Sequence, residues 1–120
     1  MASITVTGDI IEIRFTGWER LWTGRQRLAI PVAAVRQASA VAEPLGLARG
    51  ARRGLAVSGL LKVGVWGLFG GTRQLVAARR GEPGLHLILS AGQEFDEIVI
   101  SDPAGARHAG TIARATAGRT

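Results

Sequence analysis

Two histidines, His86 and His108, and no cysteine stand in this chain of 120 residues, so the side chains that most often do acid–base or nucleophilic chemistry at neutral pH are scarce. His86 lies on the side of an apolar alternation opposite Leu85, Leu87 and Leu89, and His108 falls on the outward side of a C-terminal helical pattern. Both read as ordinary polar surface residues. Neither Ser58 nor Ser90 stands in a nucleophile-elbow pattern, and no serine has histidine and aspartate neighbours that suggest a triad. Glu94, Asp96 and Glu97 gather where a strand begins and could meet a hard cation, but their spacing fits no EF-hand loop and reads as a solvated turn. The glycine-rich stretches fail as phosphate cradles. After Gly54 and Gly59 come Leu60 and Leu61, where a P-loop needs Lys and then Ser or Thr, and Gly67-Leu68-Phe69-Gly70-Gly71 lacks the dinucleotide spacing. No catalytic residue, metal or cofactor is expected.

What remains is charge and indole. Fourteen arginines and one lysine against nine carboxylates give a net charge of +6, which favours phosphate-bearing partners, although arginine with almost no lysine also fits GC-rich codon usage at exposed sites. Arg49, Arg52 and Arg53, with Arg79 and Arg80 at a later turn, are the anion-binding candidates, because a guanidinium offers paired donors to phosphate oxygens at any physiological pH. Between Gly17 and Gly24, Trp18, Leu21 and Trp22 fall at i, i+3 and i+4, on one side of a short helical turn, with Glu19 and Arg20 on the other. Trp18 and Leu21 are expected to plug the core. Trp22, and Trp66 on the face of its strand opposite the presumed core, are the interface candidates. Recognition of nucleic acid would need exposed aromatics or a recognition helix, and the sequence offers neither.

The length suits one domain, residues 1–120, with one core. Ile4 and Val6, then Ile11, Ile13 and Phe15, alternate with Thr5, Glu12 and Arg14 around a turn at Thr7-Gly8-Asp9-Ile10, which predicts an antiparallel hairpin with one wet face. Residues 27–30 and 35–41 read as strands broken at Pro31, and 43–54 as a basic loop. Residues 54–71 are almost entirely apolar or small, near the length of a membrane span. Lys62 at the centre, six glycines and period-two alternation argue instead for one long strand, hairpin-paired with residues 72–79. Leu85, Leu87 and Leu89, then 95–101, predict two more strands. Asp102 as N-cap with Pro103 after it starts a helix that runs to Ala117 and ends at Gly118, with Gly105, Ala109, Ile112, Ala113 and Thr116 inward. The start has no basic stretch before a long apolar one, and no cysteine points to an oxidising compartment, so the cytoplasm is the expected location.

Residues 12–36, Glu-Ile-Arg-Phe-Thr-Gly-Trp-Glu-Arg-Leu-Trp through Arg-Leu-Ala-Ile-Pro-Val-Ala-Ala-Val-Arg, resemble small actinobacterial pleckstrin-homology-like proteins, which carry a tryptophan-glutamate-x-leucine turn and then a valine-proline step. Gly71-Thr72-Arg73 and Asp102-Pro103 are similar to those proteins too. Arg52-Arg53-Gly54-Leu55 departs from them where an arginine-alanine-proline-glycine stretch is usual. The resemblance implies a mainly β fold, with seven or eight antiparallel strands in a two-sheet barrel or sandwich capped by one C-terminal helix. It implies a binding or assembly module and no enzyme, since the fold elsewhere binds phosphoinositides, peptides or partner domains, and bacterial versions often self-assemble. The first-hairpin loop that supplies basic residues in the lipid binders reads Thr7-Gly8-Asp9 here, with an acid and no base. The leading expectation is therefore a protein partner or self-association, through an exposed strand edge and the indoles. The alternative is an anionic phosphate-bearing ligand, a lipid headgroup of an anionic membrane surface or nucleic acid, bound through the basic arginine loop.

Overall fold

Period-two alternation builds the first sheet. Ile4 and Val6 of β1 (Ser3–Thr7), Ile11 and Ile13 of β2 (Ile10–Arg14) and Leu28 and Ile30 of β3 (Arg27–Pro31) share one face, with Ile4 opposite Ile13, Ile13 opposite Leu28 and Ile11 opposite Ile30. The computed structural model describes residues 2–15, 17, 19–48, 52–57, 59–67 and 71–117. Trp18, Arg49 and Gly118, singled out in the sequence, lie outside them.

The second sheet holds β4 (Val35–Val41), β5 (Arg52–Val57), β6 (Leu61–Trp66), β7 (Gln74–Arg79), β8 (Gly84–Leu89) and β9 (Glu97–Ser101), in the order β4-β8-β9-β7-β6-β5. A short helix, α1 (Glu19–Thr23), follows β2, and α2 (Gly105–Ala117) closes the order. The two sheets face each other across one core, to which Ile11, Ile13 and Phe15 contribute from one side and Leu75, Leu85, Leu87, Ile98 and Ile100 from the other. Ala109 and Ile112 of α2 complete it. Each such leucine or isoleucine contributes about 1.5–3 kcal/mol relative to leaving it in water. Asp102 Oδ1 accepts from Ala104 N at 2.8 Å, so the predicted cap does start the last helix.

The mainly β chain with its C-terminal helix and two sheets matches expectation, but several details do not. Among the described residues there are nine strands, β7 and β9 pair in parallel, and no pairing joins the two sheets, so the barrel is not closed. β7 and β9 are buried on both faces, and their runs Leu75-Val76-Ala77-Ala78 and Ile98-Val99-Ile100 lack alternation for that reason. Within the apolar stretch, the described residues 54–57 and 61–66 pair as a hairpin, β5 against β6, and are not one long strand. Gly54 lies opposite Gly64, and a Cβ on either would fall within about 2.5 Å of the other strand's backbone, a spacing only glycines allow. Among the described residues no helix is long and apolar enough to cross a membrane.

The outer face of the second sheet carries a second, smaller core. Trp66, Val76, Ala78 and Val99 meet Leu45, Leu47 and Ala48 from the turn at Pro44–Leu47, which lies across the strands. Trp66 is 4% exposed, so it is a core residue and not the open interface residue expected from its position opposite the main core. Beside it Gln74 Nε2 donates to the Leu47 carbonyl at 2.8 Å and to Glu97 Oε1 at 3.1 Å, and His86 Nε2 lies 2.7 Å from the same oxygen. His86 is thus tucked under this cover, its side chain 18% exposed. His108 is similarly covered, with Nε2 3.5 Å from Asp102 Oδ2. On α2, Ala113 points to solvent and the inward row runs through Gly105, Ala109 and Ile112.

Candidate functional site

Strand β5 presents the arginines. Successive side chains of a strand point to opposite faces, so Arg52, opposite Trp66, emerges on the outer face, and Arg53, opposite Val65, on the inner one. Arg79 pairs with Leu61 at the far end of β6, about 14 Å along the strand from Val65, and Arg80 follows it into a turn. The described arginine candidates therefore do not converge. Arg53 instead joins two arginines that the sequence reading left out.

The first is Arg25, just past α1. The helix has five residues, too few to settle a face by periodicity, and tertiary bonds orient it against expectation. Glu19 is 1% exposed and accepts from the Ala2 backbone N–H at 3.2 Å, while Leu21, expected to plug the core, is 74% exposed. Thr23 Oγ1 shares its one proton between the Glu19 carbonyl at 2.9 Å and the Arg25 carbonyl at 3.2 Å, which fixes the exit of the helix. Arg25 then lies over the Phe95 ring, 5.1 Å from its centroid, and grips Glu94 with both terminal nitrogens, at 2.8 and 2.5 Å.

The second is Arg73, which enters β7 two residues before Leu75 and shares its inward side. Its backbone is clamped: Arg73 N donates to Asp96 Oδ2 at 2.9 Å, and its carbonyl accepts from Asp96 N at 2.8 Å and Glu97 N at 3.2 Å. Glu94 and Asp96 stay exposed in the turn, as expected, but each has a structural partner, and Glu97 is buried. Trp22, Arg25, Arg53, Val65, Arg73, Glu94 and Phe95 enclose a cleft of about 160 Å³. Trp22, half-buried against the main core, is a wall of this cleft and not a freely exposed contact.

The Glu94 carboxyl is held below the usual carboxylate range, first by the hydrogen bonds from Arg25, then by that cation's charge and the charge of Arg73, against an opposing effect of burial. A depressed pKa contributes stability above the unfolded value near about 4.3, lost as pH falls through the folded pKa. The contribution is small because the carboxylate is half exposed. Side-chain NMR titration should find Glu94 ionising below an ordinary glutamate, and Arg25→Ala should raise that pKa towards the ordinary value.

Among the described residues no group of three His, Asp or Glu side chains is arranged to hold a metal ion. The other notable surface is the edge of the six-stranded sheet at β5, which among the described residues has β6 on one side and no strand on the other. Comparison with protein-family models, with curated proteins and with solved structures finds no match.

Proposed function

We propose that this chain is a non-catalytic binding and assembly module, which adds a strand along β5 and takes a second copy of itself as the partner. The observation that carries this reading is the contrast between the two edges of the large sheet. Edge strands are ordinarily blunted by bulges, proline or a covering element. β4 has a register shift between Val35 and Gln37 and packs extensively against α2, whereas β5 is touched only lightly by the short α1. β5 has six residues with no proline and no register shift, and ends in Val57, 38% exposed. Its sequence also suits a two-fold axis. If the axis passes between Gly54 and Leu55, Arg52 of one copy faces Val57 of the other and Arg53 faces Ala56, which keeps like charges apart while main-chain bonds form along the strand.

The resemblance to pleckstrin-homology-like proteins supports the same reading, since bacterial members often self-assemble. Its own support is the order of elements, with every long strand before one C-terminal helix, and the two facing sheets. Light scattering after size exclusion is the test. The wild type should run as a dimer at tens of micromolar, and Val57→Lys, which puts a charge on the edge, should run as a monomer with unchanged circular dichroism. A wild type that stays monomeric at the highest soluble concentration ends the proposal.

A further inference from the structure

We infer that the cleft between α1 and the β5–β6 hairpin is an oxyanion site, and that its ligand is the phosphate group of a phosphomonoester. The charges lining it decide the ligand class. Arg25, Arg53 and Arg73 supply three positive charges and Glu94 one negative, so the lining carries about two positive charges in excess. Asp96 is turned to the Arg73 backbone N–H and is not part of the lining. A phosphomonoester carries about −1.5 to −2 at neutral pH and matches that excess, whereas a monocarboxylate offsets only half of it.

The cations are not equivalent. Arg25 is committed to Glu94 and Phe95, and so serves as a fixed wall. Arg53 and Arg73 come from facing ends of the hairpin and its neighbour strand, and among the described residues neither guanidinium is bonded to a carboxylate. Both are exposed, with their donors free to close on a ligand from two sides. The volume sets the size of what enters. About 160 Å³ holds a phosphate group and a few further atoms and is too small for a whole nucleoside, so the carrier of the phosphate must lie outside, past the Trp22 indole. A larger recess, about 400 Å³, opens beside Arg14, Phe15, Gln26 and Arg27. Both of its arginines share the single Glu12, at 2.6 and 3.5 Å, which leaves about one positive charge in excess, half that of the cleft.

This site is separate from strand addition, because Arg53 reaches it from the inner face of β5 and not through the edge. Phenyl phosphate titrated into the full chain by calorimetry should bind saturably, at least tenfold more tightly than benzoate. Arg53→Gln and Arg73→Gln should each weaken it tenfold or more, as loss of a charged hydrogen bond does. Arg79→Gln should leave it unchanged. No saturable binding of phenyl phosphate, or equal weakening by Arg79→Gln, would overturn the inference, the latter by showing diffuse attraction to net charge. Vesicles of phosphatidylcholine with phosphatidic acid identify the source of the phosphate. Co-sedimentation that Arg53→Gln abolishes and phenyl phosphate competes away supports a lipid headgroup. Phenyl phosphate binding without co-sedimentation supports a soluble ester. Because the titration reads equally well on a monomer, its outcome and that of the dimer test are independent.

Discussion

Trp66→Arg should leave the domain unfolded, or lower its melting temperature by about 20 °C or more. Trp66 is almost fully enclosed by Val76, Ala78 and Val99 beneath and by Leu45 and Leu47 above. Removing a buried indole costs about 3–5 kcal/mol in lost transfer energy and cavity. An arginine in its place adds an unpaired charge in an apolar layer, worth several kcal/mol more unless the covering turn at residues 44–47 lifts off. The sum approaches the whole stability of a small domain, about 5–15 kcal/mol. Leu21→Arg is the matched control, since Leu21 is 74% exposed and an arginine there should change stability by less than about 0.5 kcal/mol. Thermal unfolding of the two variants followed by circular dichroism decides the matter. A Trp66→Arg protein that melts within a few degrees of wild type would mean that this outer face has no core.

The contrast between Trp66 and Leu21 also marks how far the sequence could be read. The face of Trp66 is legible, because Leu61, Val63 and Val65 alternate with it and take the main core. Its burial is not, because the covering turn is joined to that face through non-local contacts and the Gln74 bond to the Leu47 carbonyl. The β1–β2 hairpin was readable, since one of its faces is wet and the alternation is clean, but that β3 joins it and runs through Pro31 was not. β7 and β9 were harder: a strand buried on both faces loses its period, and a continuous apolar run does not say which strands it joins or in which direction. Two walls of the cleft could be named from the chain as binding candidates, Trp22 and Arg53. Arg73 lies twenty residues past Arg53 and is brought beside it only by the turns of β5, β6 and β7, so no local pattern links the two. Its one sequence signal was weak: Arg73 stands two positions before Leu75, at the same phase of the strand. Arg25 and Glu94 are 69 positions apart, and only the folded chain makes them a pair.

Two glycines of α2 should respond to alanine with opposite signs. Helix propensity alone predicts that both substitutions stabilise, each by up to about 1 kcal/mol, since alanine costs less entropy to order than glycine. At Gly105 geometry wins. A Cβ there would lie 2.5 Å from the Gly84 carbonyl oxygen and 2.6 Å from its carbon, both backbone atoms with no rotamer to swing aside. Gly84 cannot retreat, because its own Cβ position is 2.1 Å from the Ile100 carbonyl oxygen on β9, so the first turn of the helix is wedged against a fixed strand. Lifting the helix to admit a methyl group loosens Ala109 and Ile112 from the main core, and overpacking of this kind costs about 1–3 kcal/mol or more. Gly105→Ala should therefore lower the melting temperature by several degrees despite its better propensity. At Gly110 the nearest obstacle to a Cβ is Arg114 Nη1 at 3.3 Å, the free end of a flexible side chain. Gly110→Ala should stabilise by about 0.5–1 kcal/mol. Melting temperatures that rise together would show that the helix is not seated on β8. Opposite shifts would fix its docking at the Gly84–Gly105 contact, because no property of the isolated helix can separate the two positions in sign.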